Sequence, residues 1–214
     1  MRRPKIVILD YGIGNVKSIC NALNNIGADT VFTADEKEIL HADAAILPGV
    51  GAFAKGMQNL AESNLINVIH KFVATGKPFM GICLGMQMLM DTSEEFGTTK
   101  GLGLIRGNVV KLTILDGAKE KLPHVTWNEI NEYSPGKWEN TIMHDIPKHS
   151  DVYFVHSFVA APANQEDVLV TAEYGNVNFC AGVNRGNIYG FQFHPEKSGN
   201  TGLQILRNFL SLTK

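Results

Sequence analysis

The sequence predicts an α/β protein: a doubly wound, mostly parallel sheet flanked by helices, with an additional antiparallel section. Three observations predict it. Short apolar runs alternate with stretches of helical period from Ile6 to Ile82, the rhythm of β-α-β units. Gly27 and Gly76 stand where predicted helices should stop, as glycine does at helix ends. After Gly101 the texture changes to shorter strands and turn clusters, such as Ser134-Pro135-Gly136 and Tyr174-Gly175-Asn176, which suits antiparallel pairing. With 214 residues and 44% hydrophobic content, the chain can bury one substantial core. A single domain over residues 1–214 is expected.

Taken in order, residues 6–9 read as a strand and residues 14–26 as a helix closed by Gly27. Residues 30–33 and 44–47 are further strands. Residues 51–60 and 65–74 carry helical period, and Gly76 closes the second. Residues 79–82 form a strand that runs into Gly81-Ile82-Cys83-Leu84-Gly85, and residues 86–90 look helical. Residues 187–193 read as a buried strand, and residues 198–212 as the closing helix. In such sheets, sites gather at the carboxyl ends of the strands. There are no repeats, low-complexity tracts or linkers.

Composition narrows the function. Formal net charge is −2, so no electrostatic case exists for nucleic acid or an anionic membrane. Cys20, Cys83 and Cys180 are widely spaced and odd in number, which argues for a reducing compartment and against a disulfide framework or zinc site. The first apolar run stops at Asp10, too short for a signal peptide core, and no stretch approaches a membrane span. A cytoplasmic enzyme without metal or cofactor is expected.

A cysteine between two glycines, after a strand and before a helical stretch, reads as a sharp turn presenting a thiol. The glycines let neighbouring backbone pass without a Cβ clash, and free N–H groups at a helix start favour thiolate. A cysteine there can equally be a small core residue. The second piece lies 111 residues downstream, at Phe193-His194-Pro195-Glu196. A nucleophilic cysteine needs a base, and that base needs a group on its far nitrogen to fix its tautomer. His194 and Glu196 fit those duties.

Gly81-Ile82-Cys83-Leu84-Gly85 together with Phe193-His194-Pro195-Glu196 resembles the class I, triad-type glutamine amidotransferases. The resemblance runs end to end, through Asp10-Tyr11-Gly12-Ile13-Gly14-Asn15, Leu47-Pro48-Gly49-Val50-Gly51-Ala52-Phe53, Gly85-Met86-Gln87, Ser93-Glu94-Glu95, Gly101-Leu102-Gly103-Leu104, Pro123-His124, Trp127-Asn128 and Tyr153-Phe154-Val155-His156-Ser157. Within that family the pattern is most similar to the glutaminase subunits of imidazole glycerol phosphate synthase; Met86 favours this branch. The resemblance implies that Cys83, His194 and Glu196 hydrolyse glutamine to glutamate and ammonia. It makes Gly49, Val50 and Gly51 an oxyanion strand, with Leu84 adding a donor. A glycine-rich loop of this kind could instead cradle phosphate, but the Lys-Ser/Thr pair of such loops is absent. Val50, flanked by glycines, is expected to allow a peptide rotation that turns these donors toward or away from the oxyanion. The resemblance also places Gln87, Glu95, His156 and Ser157 around the substrate. Read without it, Glu94-Glu95 is a solvated loop and His156 a satisfied structural residue. His41, His70, His144 and His149 read as surface residues.

A chain that frees ammonia needs an acceptor site, since ammonia in neutral water is mostly protonated. No acceptor-activating domain fits in this length. The partner that the resemblance implies is a cyclase (β/α)8-barrel subunit, forming a heterodimer. Asn15, His124, Trp127, Asn128, Tyr153 and Lys197 are the implied interface residues. Trp127 suits an aromatic anchor, with core packing as its other reading. One segment departs from the family: Pro123-His124-Val125-Thr126 replaces the usual Pro-His-Met-Gly. Glycine tolerates torsions that threonine does not. The departure keeps open a paralogous ammonia-supplying subunit for a sugar amidotransferase of surface polysaccharides. The other readings are a cysteine peptidase, a γ-glutamyl hydrolase and a non-catalytic regulatory subunit; the intact triad and the Pro48–Gly51 segment count against them.

Overall fold

The computed structural model describes residues 2–14 and 16–213. Its strands are β1 (Lys5–Leu9), β2 (Asp29–Thr33), β3 (Ala44–Leu47), β4 (Phe79–Ile82), β5 (Thr92–Ser93), β6 (Thr99–Lys100) and β7 (Gly107–Lys111). They continue as β8 (His124–Glu132), β9 (Ser150–His156), β10 (Phe158–Pro162), β11 (Val168–Tyr174), β12 (Val177–Arg185) and β13 (Ile188–Phe191). The helices are α1 (Val16–Asn25), α2 (Glu36–His41), α3 (Phe53–Glu62), α4 (Leu65–Ala74), α5 (Leu84–Gln87) and α6 (Gly199–Ser211).

Five strands in the order β2-β1-β3-β4-β13 run parallel. From β13 the sheet continues through β12, β10 and β7 by antiparallel pairing, and β11 leads to the β8–β9 hairpin. The expected mixture of a parallel half and an antiparallel section is therefore present. Strand alternation sorts the core into two layers. Ile6 and Ile8 pack with residues of α1 and α6, whereas Val7 and Leu9 pack with α3 and α4. Each large apolar side chain buried this way, such as Phe72 or Phe209, contributes roughly 1.5–3 kcal/mol. Among the described residues no helix is long and apolar enough to cross a membrane.

Three elements differ from expectation. The first is α2, which the sequence pattern does not announce: it is mostly charged, and Ile39 is its one buried residue. An Asp35 side chain that accepts from the Glu38 N–H starts it, which is N-capping. The stretch after Cys83 is a single helical turn, not a helix through residue 90. So short a helix carries little dipole, which weakens the expected contribution of the helix start to a thiolate. Finally, β13 ends at Phe191, and Gln192 and Phe193 lie beyond it.

Candidate active site

β4 and β13 are neighbours, with Ile82 opposite Phe191. Residues that follow these two strands therefore meet, although they are far apart in sequence. Cys83 sits at the turn with φ 55° and ψ −112°, a strained conformation for a residue with a Cβ. Two backbone hydrogen bonds hold it: its N–H donates to Phe191 O at 2.7 Å, and its carbonyl accepts from Gln87 N–H at 3.2 Å. The flanking glycines serve close approach. A Cβ on Gly85 would lie 1.9 Å from the Leu47 carbonyl oxygen, and one on Gly81 would lie 2.6 Å from the Gly85 oxygen.

His194 follows β13 and is pinned through its backbone. Its N–H donates to Tyr153 O at 3.0 Å and its carbonyl accepts from Ser198 Oγ at 2.7 Å. The ring's Nδ1 lies 2.8 Å from Glu196 Oε1, with side chains 3% and 1% exposed. Among the described residues, His194 Nε2 and Glu196 Oε2 are buried without hydrogen-bond partners. Burial alone works to lower the basicity of His194, but Cys83 and the Glu196 carboxylate outweigh it and raise its pKa to about 9. This buried carboxylate, facing Nδ1, fixes the tautomer that leaves Nε2 toward the sulfur. Glu196→Gln is expected to lower turnover by about a hundredfold or more while leaving KM within about twofold. Full activity in a steady-state assay of that variant would remove Glu196 from the mechanism.

A cleft of about 270 Å³ opens beside Cys83, and Val50, Gly51, Leu84, Gln87, Glu95, His156 and Ser157 all line it. Gly49 does not. It is buried behind the loop, where a Cβ would lie 2.8 Å from Gly85 N and 2.9 Å from the Tyr11 hydroxyl; its contribution is close packing, not a pocket wall. Gly51 has φ +97°, open to glycine. Tyr11, unassigned from sequence, donates its hydroxyl hydrogen to the Pro48 carbonyl and so ties the start of this loop to the end of β1. Burial first, then Cys83, raises the Tyr11 pKa, keeping that donor protonated.

The amide of Gln87 is more committed than expected. Its Nε2 donates to Phe158 O at 2.9 Å and to Gln192 Oε1 at 3.0 Å. Glu95 accepts from the Phe53 N–H at 2.6 Å, stabilising the positive end of α3, so only part of its carboxylate faces the cleft. His156 is buried, and its Nδ1 lies 3.0 Å from Phe158 O. A carbonyl only accepts, so Nδ1 carries the hydrogen, and Nε2 accepts from His124 Nδ1 at 3.0 Å. Burial, reinforced by His124, lowers the His156 pKa to about 3, and burial lowers that of His124 to about 4. Both rings are neutral.

The implied interface residues divide. Asn15 lies outside the described residues. His124 is fully buried, stacked on Phe154 and Tyr174, and so is corrected from a surface contact to a core residue. Trp127 is half exposed and its ring meets Tyr153 edge-on, with centroids 6.2 Å apart. Lys197 is exposed and holds its Nζ 5.6 Å above the Tyr153 ring, a cation–π arrangement. Asn128 donates to Glu173 O at 2.7 Å. Thr126 lies in β8 opposite Phe154, in regular strand that suits a β-branched residue, so its backbone needs no glycine torsion. His41, His70, His144 and His149 are exposed, as expected.

Known proteins resemble this chain in sequence and in fold. The family pattern described as glutamine amidotransferase class-I matches residues 7–212. The chain is 46% identical over 210 residues to imidazole glycerol phosphate synthase subunit HisH 1 of Legionella pneumophila (strain Lens), covering 97% of this chain and 99% of that protein. It is 44% identical over 212 residues to subunit HisH of Moorella thermoacetica, covering 99% and 96%. Among solved structures, PurLQS from Thermotoga maritima aligns over 100% of both chains with a TM-score of 0.73 at 21% identity. A glutamine amidotransferase from the same organism aligns over 94% of this chain and 80% of that one, with a TM-score of 0.61 at 17% identity; both show the shared fold. With a family pattern spanning nearly every residue and relatives this similar over their whole length, the chain belongs to the class-I glutamine amidotransferase family.

Proposed function

We propose that this chain is the glutaminase subunit of imidazole glycerol phosphate synthase, working in histidine biosynthesis as one domain through Cys83, His194 and Glu196. The observation that carries the reading is the buried His194–Glu196 pair beside the strained Cys83, in a chain 44–46% identical end to end to HisH subunits. With His194 protonated, the sulfur attacks the carboxamide carbon as an anion. Backbone N–H groups of the Val50–Gly51 loop and Leu84 take the developing oxyanion, each worth about 3–4 kcal/mol in related chemistry. The carbon–nitrogen bond breaks as His194 Nε2 gives its proton to the leaving nitrogen, which departs as ammonia. Acylation removes the negative sulfur that held this proton, so the now neutral imidazole takes a proton from water. The resulting hydroxide displaces the sulfur and releases glutamate. Gln87, Glu95, His156 and Ser157 surround the substrate's amino-acid end.

The pH dependence follows from the His194 pKa near 9. A free imidazole base would lose activity on acidification near its ordinary pKa. A raised value instead keeps the acid for the departing ammonia available up to about pH 9, so turnover should fall as pH rises through that value. The same shift stabilises the fold: its contribution is complete below about 6.5 and is lost as pH rises through about 9. A rate–pH profile with its alkaline limb near 7 would contradict this.

The partner is a cyclase (β/α)8-barrel in a heterodimer in the cytoplasm, docked on Trp127, Asn128, Tyr153 and Lys197. It combines ammonia with a phosphorylated ribulosyl intermediate to give imidazole glycerol phosphate and an aminoimidazole carboxamide ribonucleotide. Glutamine turnover by the lone chain should rise about tenfold or more when cyclase and its acceptor ligand are added. Lys197→Ala should reduce that activation more than it changes the KM for glutamine. Vigorous hydrolysis by the lone chain would end the coupling claim, and activation by a sugar amidotransferase alone would replace the histidine pathway.

A further inference from the structure

The polar side chain packed against the sulfur is outside the triad. Gln192 is fully buried, one residue beyond β13, and its Nε2 lies 3.7 Å from Cys83 Sγ. Its orientation is forced by a sequence of donors. Phe158 O can only accept, and it takes one hydrogen from Gln87 Nε2 at 2.9 Å and the His156 Nδ1 hydrogen at 3.0 Å. The other Gln87 Nε2 hydrogen goes to Gln192 Oε1 at 3.0 Å. Turning the Gln192 amide over would set NH₂ against NH₂ and an oxygen against the sulfur. The amide therefore presents N–H to Cys83.

Besides His194, the sulfur has a further polar neighbour, and it has the opposite sense. A protonated Cys83 donates to Val155 O at 3.8 Å. Once the proton is gone, that oxygen repels the sulfur, whereas the Gln192 bond becomes charge-assisted and strengthens. A donor fixed in advance costs no reorganisation when charge appears.

We propose that Gln192 is a further catalytic residue, a fixed donor that holds the Cys83 sulfur as an anion, with Gln87 as the positioning residue that sets its amide. The proposal rests on the glutaminase reading for its effect on turnover but not for its effect on the sulfur.

The test uses Gln192→Met, which keeps length and removes the donor, and Gln192→Glu, which keeps an acceptor for Gln87 and sets carboxylate oxygen against the sulfur. Alkylation of Cys83 by iodoacetamide, followed by mass spectrometry of its peptide across pH, needs neither glutamine nor partner. A hydrogen bond to a charged group is strong enough for about a tenfold effect. Alkylation at pH 7 should thus slow about tenfold in Gln192→Met, more in Gln192→Glu, and converge with the parent at high pH. With the cyclase present, kcat should fall in parallel and KM should stay within about twofold. Thermal melting checks the fold; should the Met variant not fold, the Glu variant decides by the same curve. A folded variant whose alkylation–pH curve overlays the parent overturns the proposal. A shifted curve in a parent chain that never hydrolyses glutamine overturns the glutaminase reading and leaves the sulfur assignment standing.

Discussion

Cys83→Ala is expected to abolish glutamine hydrolysis, by roughly 10⁴-fold or more, because removing the proposed nucleophile disables the proposed triad as a unit. The fold and partner binding should survive, since the change deletes one buried sulfur at a turn. With cyclase and ammonium salts, the variant complex should still make product, because external ammonia bypasses the missing half-reaction. A diazo or chloro analogue of glutamine should label Cys83. Cys180 is a poor competitor, as burial pushes its thiol up to about 12. Labelling at Cys20 or Cys180 would defeat the assignment, and so would residual hydrolysis near the parent rate.

A large loss of stability is expected from Gly85→Ala. Its Cβ would meet the Leu47 carbonyl oxygen at 1.9 Å, and that obstacle is backbone at the end of β3. Nothing flexible can yield, so the turn must leave the sheet. A loss of about 3 kcal/mol or more follows, enough to deplete soluble protein or lower the melting temperature by many degrees. Gly51→Ala makes the informative contrast: no atom lies within 4 Å of its Cβ, and only the φ of +97° resists. About 1–3 kcal/mol is expected there. Equal melting temperatures for Gly85→Ala and the parent would mean that the turn is not packed as described.

Much of this is legible in the sequence because the relevant signals are local. The apolar runs of β1, β3 and β4, the glycines around Cys83 and the closing helix each announce themselves within a few residues. What escapes depends on long-range partners. Gln192 looks like a polar interruption in an apolar strand until Gln87 and Cys83 are beside it. Tyr11 gains its meaning from Pro48, 37 residues away. His124, implied by likeness as an interface residue, is buried because a histidine's burial depends on which rings surround it. A charged helix with a single buried residue, as α2 is, has no apolar stripe to betray it. The pocket lining is readable only through family likeness; Gly49, a packing residue and not a wall, shows where such transfer loses resolution.

The place of β13 has a consequence for how the chain comes to be active. This strand is synthesised about a hundred residues after β4, yet it inserts in the middle of the sheet, between β4 and β12. Until it arrives, β4 has one unpaired side, Cys83 lacks the Phe191 carbonyl that holds its N–H, and His194 is not yet beside the sulfur. Such long-range closure is slow, and an open apolar edge invites wrong pairing in the interval. On the proposed triad, a nascent chain that has not yet reached Glu196 is both inert and aggregation-prone, and ammonia release waits for that residue to emerge and fold.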